Sequence, residues 1–299
     1  MRAMPRSYLL IFSILVIFTT SCCKPVSEEY GYFYSHLNTF TKPDLFFRES
    51  PYFLVILVNA RHLDYTDNRS FLRTLAKHPS DGSKNSDVGH AWICLRGIID
   101  GEYVEIEGGH TGETGLTQAR YFDGMMDLVE KGSPNPVRYL WEMQHDGFFQ
   151  NGSGGHQPTF AAKIDLTEEQ FHTILTFIET YPYQDYAITK NQCSSFVAQV
   201  AALADWEIPC EVTLSIDPHL QIGPDLIPLW TDPRYAYLTI SSPDMVEKSL
   251  MKAVATKQAQ DARKWYLCTH PQSSQAYFSQ LIESIQLAPQ RVQRLLLFR

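Results

Sequence analysis

The 299-residue chain lacks most of the short signatures that announce a chemistry. It has no G-x-G-x-x-G and no G-x-x-x-x-G-K-S/T, so neither a dinucleotide turn nor a phosphate-cradling loop is encoded. No H-E-x-x-H is present, and none of the 6 cysteines forms a C-x-x-C pair, so the familiar zinc-protease and structural-zinc spacings are missing. No basic run occurs before the last few residues, and the formal charge is −8, which speaks against a nucleic-acid partner. Internal repeats and low-complexity tracts are absent as well. The N-terminal apolar run, Leu9 to Phe18, is 10 residues long. A spanning helix needs roughly 20.

What is present begins with that run. Arg2 and Arg6 precede it, and Thr19, Thr20, Ser21, Cys22 and Cys23 follow. A basic start, a short apolar core and small residues make a signal sequence. Two readings stay open: a lipoprotein-type signal with Cys22 as the lipidated residue, or a plain secretory signal or uncleaved anchor. Either places the protein in the cell envelope, in the first case held to the membrane by lipid. Export leaves Cys94, Cys193, Cys210 and Cys268 in an oxidising compartment, enough for two disulfides. The whole chain is 44% hydrophobic and 13% aromatic, sufficient for a sizeable core. The expected organisation is a signal (1–22), a lead-in (23–50), one domain (51–242) and a helical C-terminal extension (243–299).

PYFLVILVNA (51–60) is a continuous apolar run and predicts a buried strand. FLRTLAKH, within 62–87, has a helical pattern. HAWICLRG (90–97) and EYVEIEGG (102–109) predict a hairpin around Asp100-Gly101. A two-residue turn makes paired numbers sum to 201, and a four-residue turn makes them sum to 199. RYLWEMQ (138–144) and TFAAKIDL (159–166) suggest strands, and the Gly-rich 146–158 a mobile loop between them. Thr167 and Gln170 fit a capping box opening a helix over 166–180. Residues 207–233, with five prolines, predict a surface wrap. RYAYLTIS (234–241) reads as a last strand, and 243–299 as two or three helical pieces. Helices are grouped rather than alternating strand by strand, so the fold class is α+β with an antiparallel sheet.

NQCSSFVAQVAALA (191–204) carries the chemistry. Phe196, Val197, Val200, Leu203 and Ala204 form the stripe of a buried helix, with Asn191 as the expected N-cap. Cys193 then lies in the first turn, where the helix dipole favours a thiolate. A nucleophilic cysteine needs a base and a group that orients it. His90 stands at the mouth of a strand; Glu105, Glu107 and His110 lie on the next one. Both registers bring His110 or Glu107 near His90.

The order GHAWI, a polar residue on the following strand, and then Y-x-x-x-x-N-x-C-x-x-F-V (Tyr186 to Val197) resembles the circularly permuted branch of the NlpC-type, papain-like cysteine hydrolases. That branch includes relatives of lecithin retinol acyltransferase. The resemblance implies a permuted papain-like sheet packed against a cysteine-bearing helix. It implies Cys193 as nucleophile, His90 as general base, and His110 or Glu107 as the orienting residue. Tyr186 and Gln192 are implied near the oxyanion and substrate, with the Cys193 N–H as an oxyanion donor. The activity implied is acyl transfer or hydrolysis on an amide or ester of a peptide, peptidoglycan or lipid-like substrate, without cofactor or metal.

Two other classes compete. One is a catalytically silent binding module on the same fold. The other is a metal site from His90, His110 and Cys193, with Cys94 on the His90 strand face. His145 and His156, beside the Gly-rich loop, read as solvated; Trp92, Trp141, Tyr183 and Phe196 as core or pocket lining. The terminal RVQRLLLFR (291–299) reads as the end of a docked helix.

Overall fold

The computed structural model describes residues 38–40, 50–77, 88–112, 145, 147–187, 189–222 and 224–270. The signal region with Cys22, the strand expected at 138–144, and everything from 271 onward lie outside these residues. The fold is α+β, organised on an antiparallel sheet.

Strand β2 (Phe53–Asn59) is buried at every position because both of its faces are covered. It lies between β3 (His90–Ile99) and β6 (Phe160–Asp165), and β3 pairs on its far side with β4 (Glu102–Gly112). The outer edge of β4 is shared. β1 (Asn38–Phe40) pairs with its first half, and β5 (Gly147–Asn151) with its second. The strand expected over 102–109 therefore runs on to Gly112, and part of the predicted mobile loop is a strand.

The hairpin takes the two-residue turn. Asp100 and Gly101 have φ of 52° and 85°, the left-handed pair that a type I′ turn requires. Ile99 pairs with Glu102 and Ile93 with Gly108, so paired numbers sum to 201.

One face of the sheet buries Leu54, Ile56, Val58, Ala91, Ile93, Leu95, Val104 and Ile106 under helices α2 (Glu168–Thr180), α3 (Cys193–Ala202) and α4 (Pro243–Ala255). Helix α1 (Asn68–Lys77) contributes to neither face; its Phe71 packs against Leu214, Ile216, Leu229 and Leu238. The other face buries Phe53, Val55, Leu57, Trp92 and Cys94 under Trp265 and Tyr266 of α5 (Arg263–Thr269). The dipeptide strand β11 (Gln260–Asp261) adds to the β6 edge. Residues 243–270 are thus part of the sheet's own layers instead of an extension beyond it. Asp244 ties them down: its carboxylate accepts N–H bonds from Arg61, His62 and Leu63 at 2.6, 2.8 and 2.7 Å, and the Tyr65 hydroxyl at 2.9 Å.

Residues 207–233 depart from the surface wrap predicted for them. They hold β7 (Glu211–Ser215), which pairs with β10 (Tyr237–Ser241), and the hairpin β8 (His219–Ile222) with β9 (Asp225–Pro228). The prolines punctuate these strands rather than abolish them. Pro209 precedes β7, Pro218 separates β7 from β8, Pro224 sits in the β8–β9 turn and Pro228 ends β9. Leu214, Ile216, Leu229 and Leu238 give this part its own small core.

The capping box at α2 forms as the sequence predicts. Thr167 Oγ1 accepts the Gln170 N–H at 3.1 Å, and Gln170 Oε1 accepts the Thr167 N–H at 3.0 Å. Thr167→Ala is expected to cost about 1 kcal/mol. It would be read as a lower urea midpoint at unchanged slope; an unmoved midpoint would contradict the capping role. No helix among the described residues is long and apolar enough to cross a membrane.

Candidate active site around Cys193

Helix α3 begins at Cys193, but its N-cap is Gln192, not Asn191. Gln192 Oε1 accepts the Ser194 N–H at 2.7 Å, and Ser195 Oγ accepts the Gln192 N–H at 2.9 Å. Asn191 has other work. Its main chain bridges to Ala187, its side-chain amide donates to the Asp185 carbonyl, and its Oδ1 accepts the Tyr181 hydroxyl at 2.6 Å. It closes the turn that delivers the chain to the helix. A second anchor is Phe196, fully buried among Phe149, Phe177, Tyr181 and Tyr183. Burial of such a ring contributes about 1.5–3 kcal/mol, which fixes the first turn against the sheet.

The Cys193 thiol is 9% exposed and free; no disulfide joins it, Cys94, Cys210 or Cys268. It donates to Gln192 Oε1 at 3.0 Å. Gln192 Nε2 in turn donates to the Ser241 carbonyl, so the side chain implied for the oxyanion region instead caps the helix and holds the thiol. Burial pushes the thiol pKa up. Bonds from the main chain of Ala91 and from Ser194 pull the other way and do not outweigh it. The thiolate expected at a helix start is therefore not the resting form.

Two buried histidines lie next to Ala91, one in sequence and one across the hairpin, on opposite faces of the sheet. His90 precedes Ala91 in the chain. A Cβ on Gly109 would lie 3.0 Å from the Ala91 carbonyl oxygen and 3.2 Å from Trp92 Cβ, so the hairpin register continues and His110 stands opposite Ala91. His110 consequently shares the sheet face covered by α3. Its Nε2 is 2.9 Å from the Tyr183 carbonyl oxygen. A carbonyl only accepts, so Nε2 carries the proton and Nδ1 keeps its lone pair. That Nδ1 is buried and has no hydrogen-bond partner among the described residues. The rings of Tyr181, Tyr183 and Tyr186 meet His110 edge-on at 5.3, 5.7 and 5.4 Å. Tyr186 is thus a wall of the histidine pocket. Burial lowers the His110 pKa to about 4.

His90 is also buried, and its Nε2 likewise has no partner among the described residues. Gly89 explains the first letter of GHAWI: its φ is +88°, and a Cβ there would come within 2.2 Å of the Asn59 carbonyl oxygen. The His90 ring stacks on Trp92 at 5.7 Å and lies 5.0 Å from His156. Burial first, then His156 and His110, hold its pKa well below the ordinary value.

Alternation sends Glu107 to the opposite face from Cys193. Its Oε1 accepts Trp92 Nε1 at 3.1 Å and the Tyr266 hydroxyl at 2.5 Å. It does not reach the thiol side of the sheet. The metal set His90, His110, Cys193 and Cys94 is split in the same way, since Cys94 and Cys193 lie in different cores. No hydrogen bond joins Cys193 to either His90 or His110 among the described residues.

No family model matches the chain, and no curated protein and no solved structure matches it.

The arrangement therefore puts Cys193, Gln192, Tyr186 and His110 on the α3 side of the sheet, and leaves His90, the base the resemblance implies, with Glu107 on the Trp92 side. His156, expected to be solvated, is buried against His90; His145 is exposed and 3.0 Å from Asp185. Of the three tyrosines around His110, the sequence pointed to Tyr186 and to Tyr183 as core or pocket lining, and gave no signal for Tyr181. For His156 the loop-like GSGGHQP gave no signal, because its burial comes from contact with a distant strand.

Proposed function

We propose that the protein is an exported thiol hydrolase or acyltransferase of the permuted papain-like kind, acting on an amide or ester of a peptide, peptidoglycan or lipid-like molecule. The observation that carries this reading is a free thiol at the first residue of α3, on the same sheet face as a buried histidine, His110, that keeps an open ring nitrogen. The order of GHAWI before NQCSSFV supports it.

In this mechanism Gln192 releases the thiol as substrate enters. Cys193 Sγ attacks the carbonyl carbon while its proton passes to a histidine. His110 is the favoured base because it faces α3 with Nδ1 unprotonated. His90, the base the resemblance implies, stacks on Trp92 on the sheet face away from α3 and is the weaker candidate. The helix start offers N–H groups to the oxyanion. The protonated histidine then gives its proton to the leaving group, and water or another acceptor cleaves the thioester. Because the resting thiol is un-ionised, deprotonation accompanies attack in place of a standing thiolate–imidazolium pair.

The test is to incubate the full chain in mild detergent with a panel of acyl p-nitrophenyl esters and anilides, quench, and read the Cys193 peptide by mass. An acyl adduct on Cys193 that forms and decays with turnover is the expected result. No adduct with any acyl group would favour the binding-module reading.

A further inference from the structure

The sheet face turned away from Cys193 carries a buried polar set that the thiol chemistry does not use. Cys94 and Glu105 are 0% and 2% exposed, and the His270 ring closes over them from the end of α5. Cys94 Sγ is 3.4 Å from Glu105 Oε2, and His270 Nε2 is 3.2 Å from Glu105 Oε1. The three ligand atoms all lie within 4.8 Å of one another, and no other such triad occurs among the described residues. Glu107 Oε2 adds a fourth, 4.0 Å from His270 Nε2.

We propose that Cys94, Glu105 and His270, completed by Glu107, form a binding site for one divalent transition-metal ion of the zinc type. Two metal bonds of about 2.1 Å at a tetrahedral angle set donor atoms roughly 3.4 Å apart. The observed 3.2, 3.4 and 4.0 Å separations need little adjustment to meet that. One thiol, one imidazole and two carboxylates suit a borderline-soft cation better than calcium or magnesium.

The surrounding bonds orient the set inward. His270 Nδ1 lies 2.8 Å from Thr269 Oγ1 and 3.3 Å from the Tyr266 carbonyl oxygen. Nε2 faces the Glu105 carboxylate, which only accepts, so it carries a proton in the metal-free protein; with Nδ1 directed to Thr269 and Tyr266, loss of that proton leaves Nε2 as the ligand. Trp92 and Tyr266 both donate to Glu107 Oε1, which leaves Oε2 for the ion. The Arg96 Nε donates to Glu105 Oε2 and fixes that carboxylate in the same manner. Binding exchanges the Cys94 thiol proton and the His270 Nε2 proton for the metal and releases both to solvent. Three negative ligands then face the dication and Arg96, so the buried charges cancel. The ion would pin α5 to the back of β3 and β4, giving the site a structural role.

The competing reading is an ion-pair network in which Arg96 alone serves the carboxylates. Titration of the full chain with cobalt(II), in detergent and under reducing conditions, separates the two. One equivalent should bind with a thiolate-to-cobalt charge-transfer band. Cys94→Ser should abolish the band. Since that position is in the core, His270→Ala at the partly exposed end of α5 provides a second variant, and it should weaken binding at least tenfold. Cys193→Ala should leave both intact, so the outcome is independent of the hydrolase reading. No stoichiometric binding, binding unaltered by His270→Ala, or a band lost with Cys193 in place of Cys94 would overturn the site.

Discussion

Cys193→Ala is expected to lower turnover of any acyl substrate by about 10⁴-fold or more, with the fold retained. The residue contributes one sulfur atom to the core and caps nothing; the cap is Gln192. Its removal deletes the nucleophile, and no other cysteine stands at the helix start: Cys94 lies in the other core, Cys268 is exposed, and Cys210, in the same core, precedes β7. His110→Ala should follow it with a loss of roughly 10²–10⁴-fold. His90→Ala should cost less, because its ring stacks on the Trp92 face. The pH profile has a definite sign. A base is useful while neutral, and burial holds His110 neutral down to about 4. The acid limb of kcat/KM should therefore fall near pH 4 and not near 6.5. If His90→Ala proves the more damaging variant, the base moves to His90 while the thiol keeps its role. If Cys193→Ala retains wild-type turnover, the mechanism is wrong.

The same histidines should make the fold sensitive to acid. His110 takes up its proton at about 4 in the native state but at its ordinary 6.5 when the chain is unfolded. Between those values the unfolded chain binds more protons, so falling pH favours unfolding. The contribution of His110 is fully present above 6.5 and is lost as pH drops through the window to about 4. At ~1.36 kcal/mol per pH unit the loss is about 3 kcal/mol. His90 shifts in the same direction, so it adds to the effect. Urea midpoints at pH 7.5 and 4.5 measure it. His110→Gln can still donate to the Tyr183 carbonyl but cannot titrate, and the difference between the two midpoints should shrink. An equal pH dependence in wild type and variant would mean that His110 does not titrate as its burial demands.

Local chemistry carried much of the fold. Asp100-Gly101 selected the turn, and with it every pairing from β3 to β4. The apolar run at 51–60 announced a strand covered on both faces, and Thr167 with Gln170 announced the start of α2. What escaped sequence reading depends on partners far along the chain. Gly147–Asn151 has the composition of a loop, yet it is a strand because β4 has an open half-edge for it. Residues 211–228 are proline-rich, yet the prolines fall between strands or at a strand's end, and the strands find partners that include β10. At the site, the helix and its cysteine were readable from the apolar stripe. Whether Gln192 or Asn191 caps it was not, because the choice turns on Asn191 binding Tyr181 and Asp185 across the turn. Both carboxylates of β4 shared a face by simple alternation; that this face is turned away from Cys193 depends on which layer α3 joins.

The most direct test of the central claim is the rate of Cys193 alkylation by iodoacetamide from pH 4 to pH 10, followed by peptide mass in the wild-type chain, His110→Ala and His90→Ala. With a histidine base serving the thiol, wild-type Cys193 should react at neutral pH at least tenfold faster than in the variant lacking that base, whose rate should climb only as an unassisted thiol ionises at ~8.5 or above. Three superimposable profiles, all rising at that alkaline pH, would contradict it and leave Cys193 an ordinary buried cysteine.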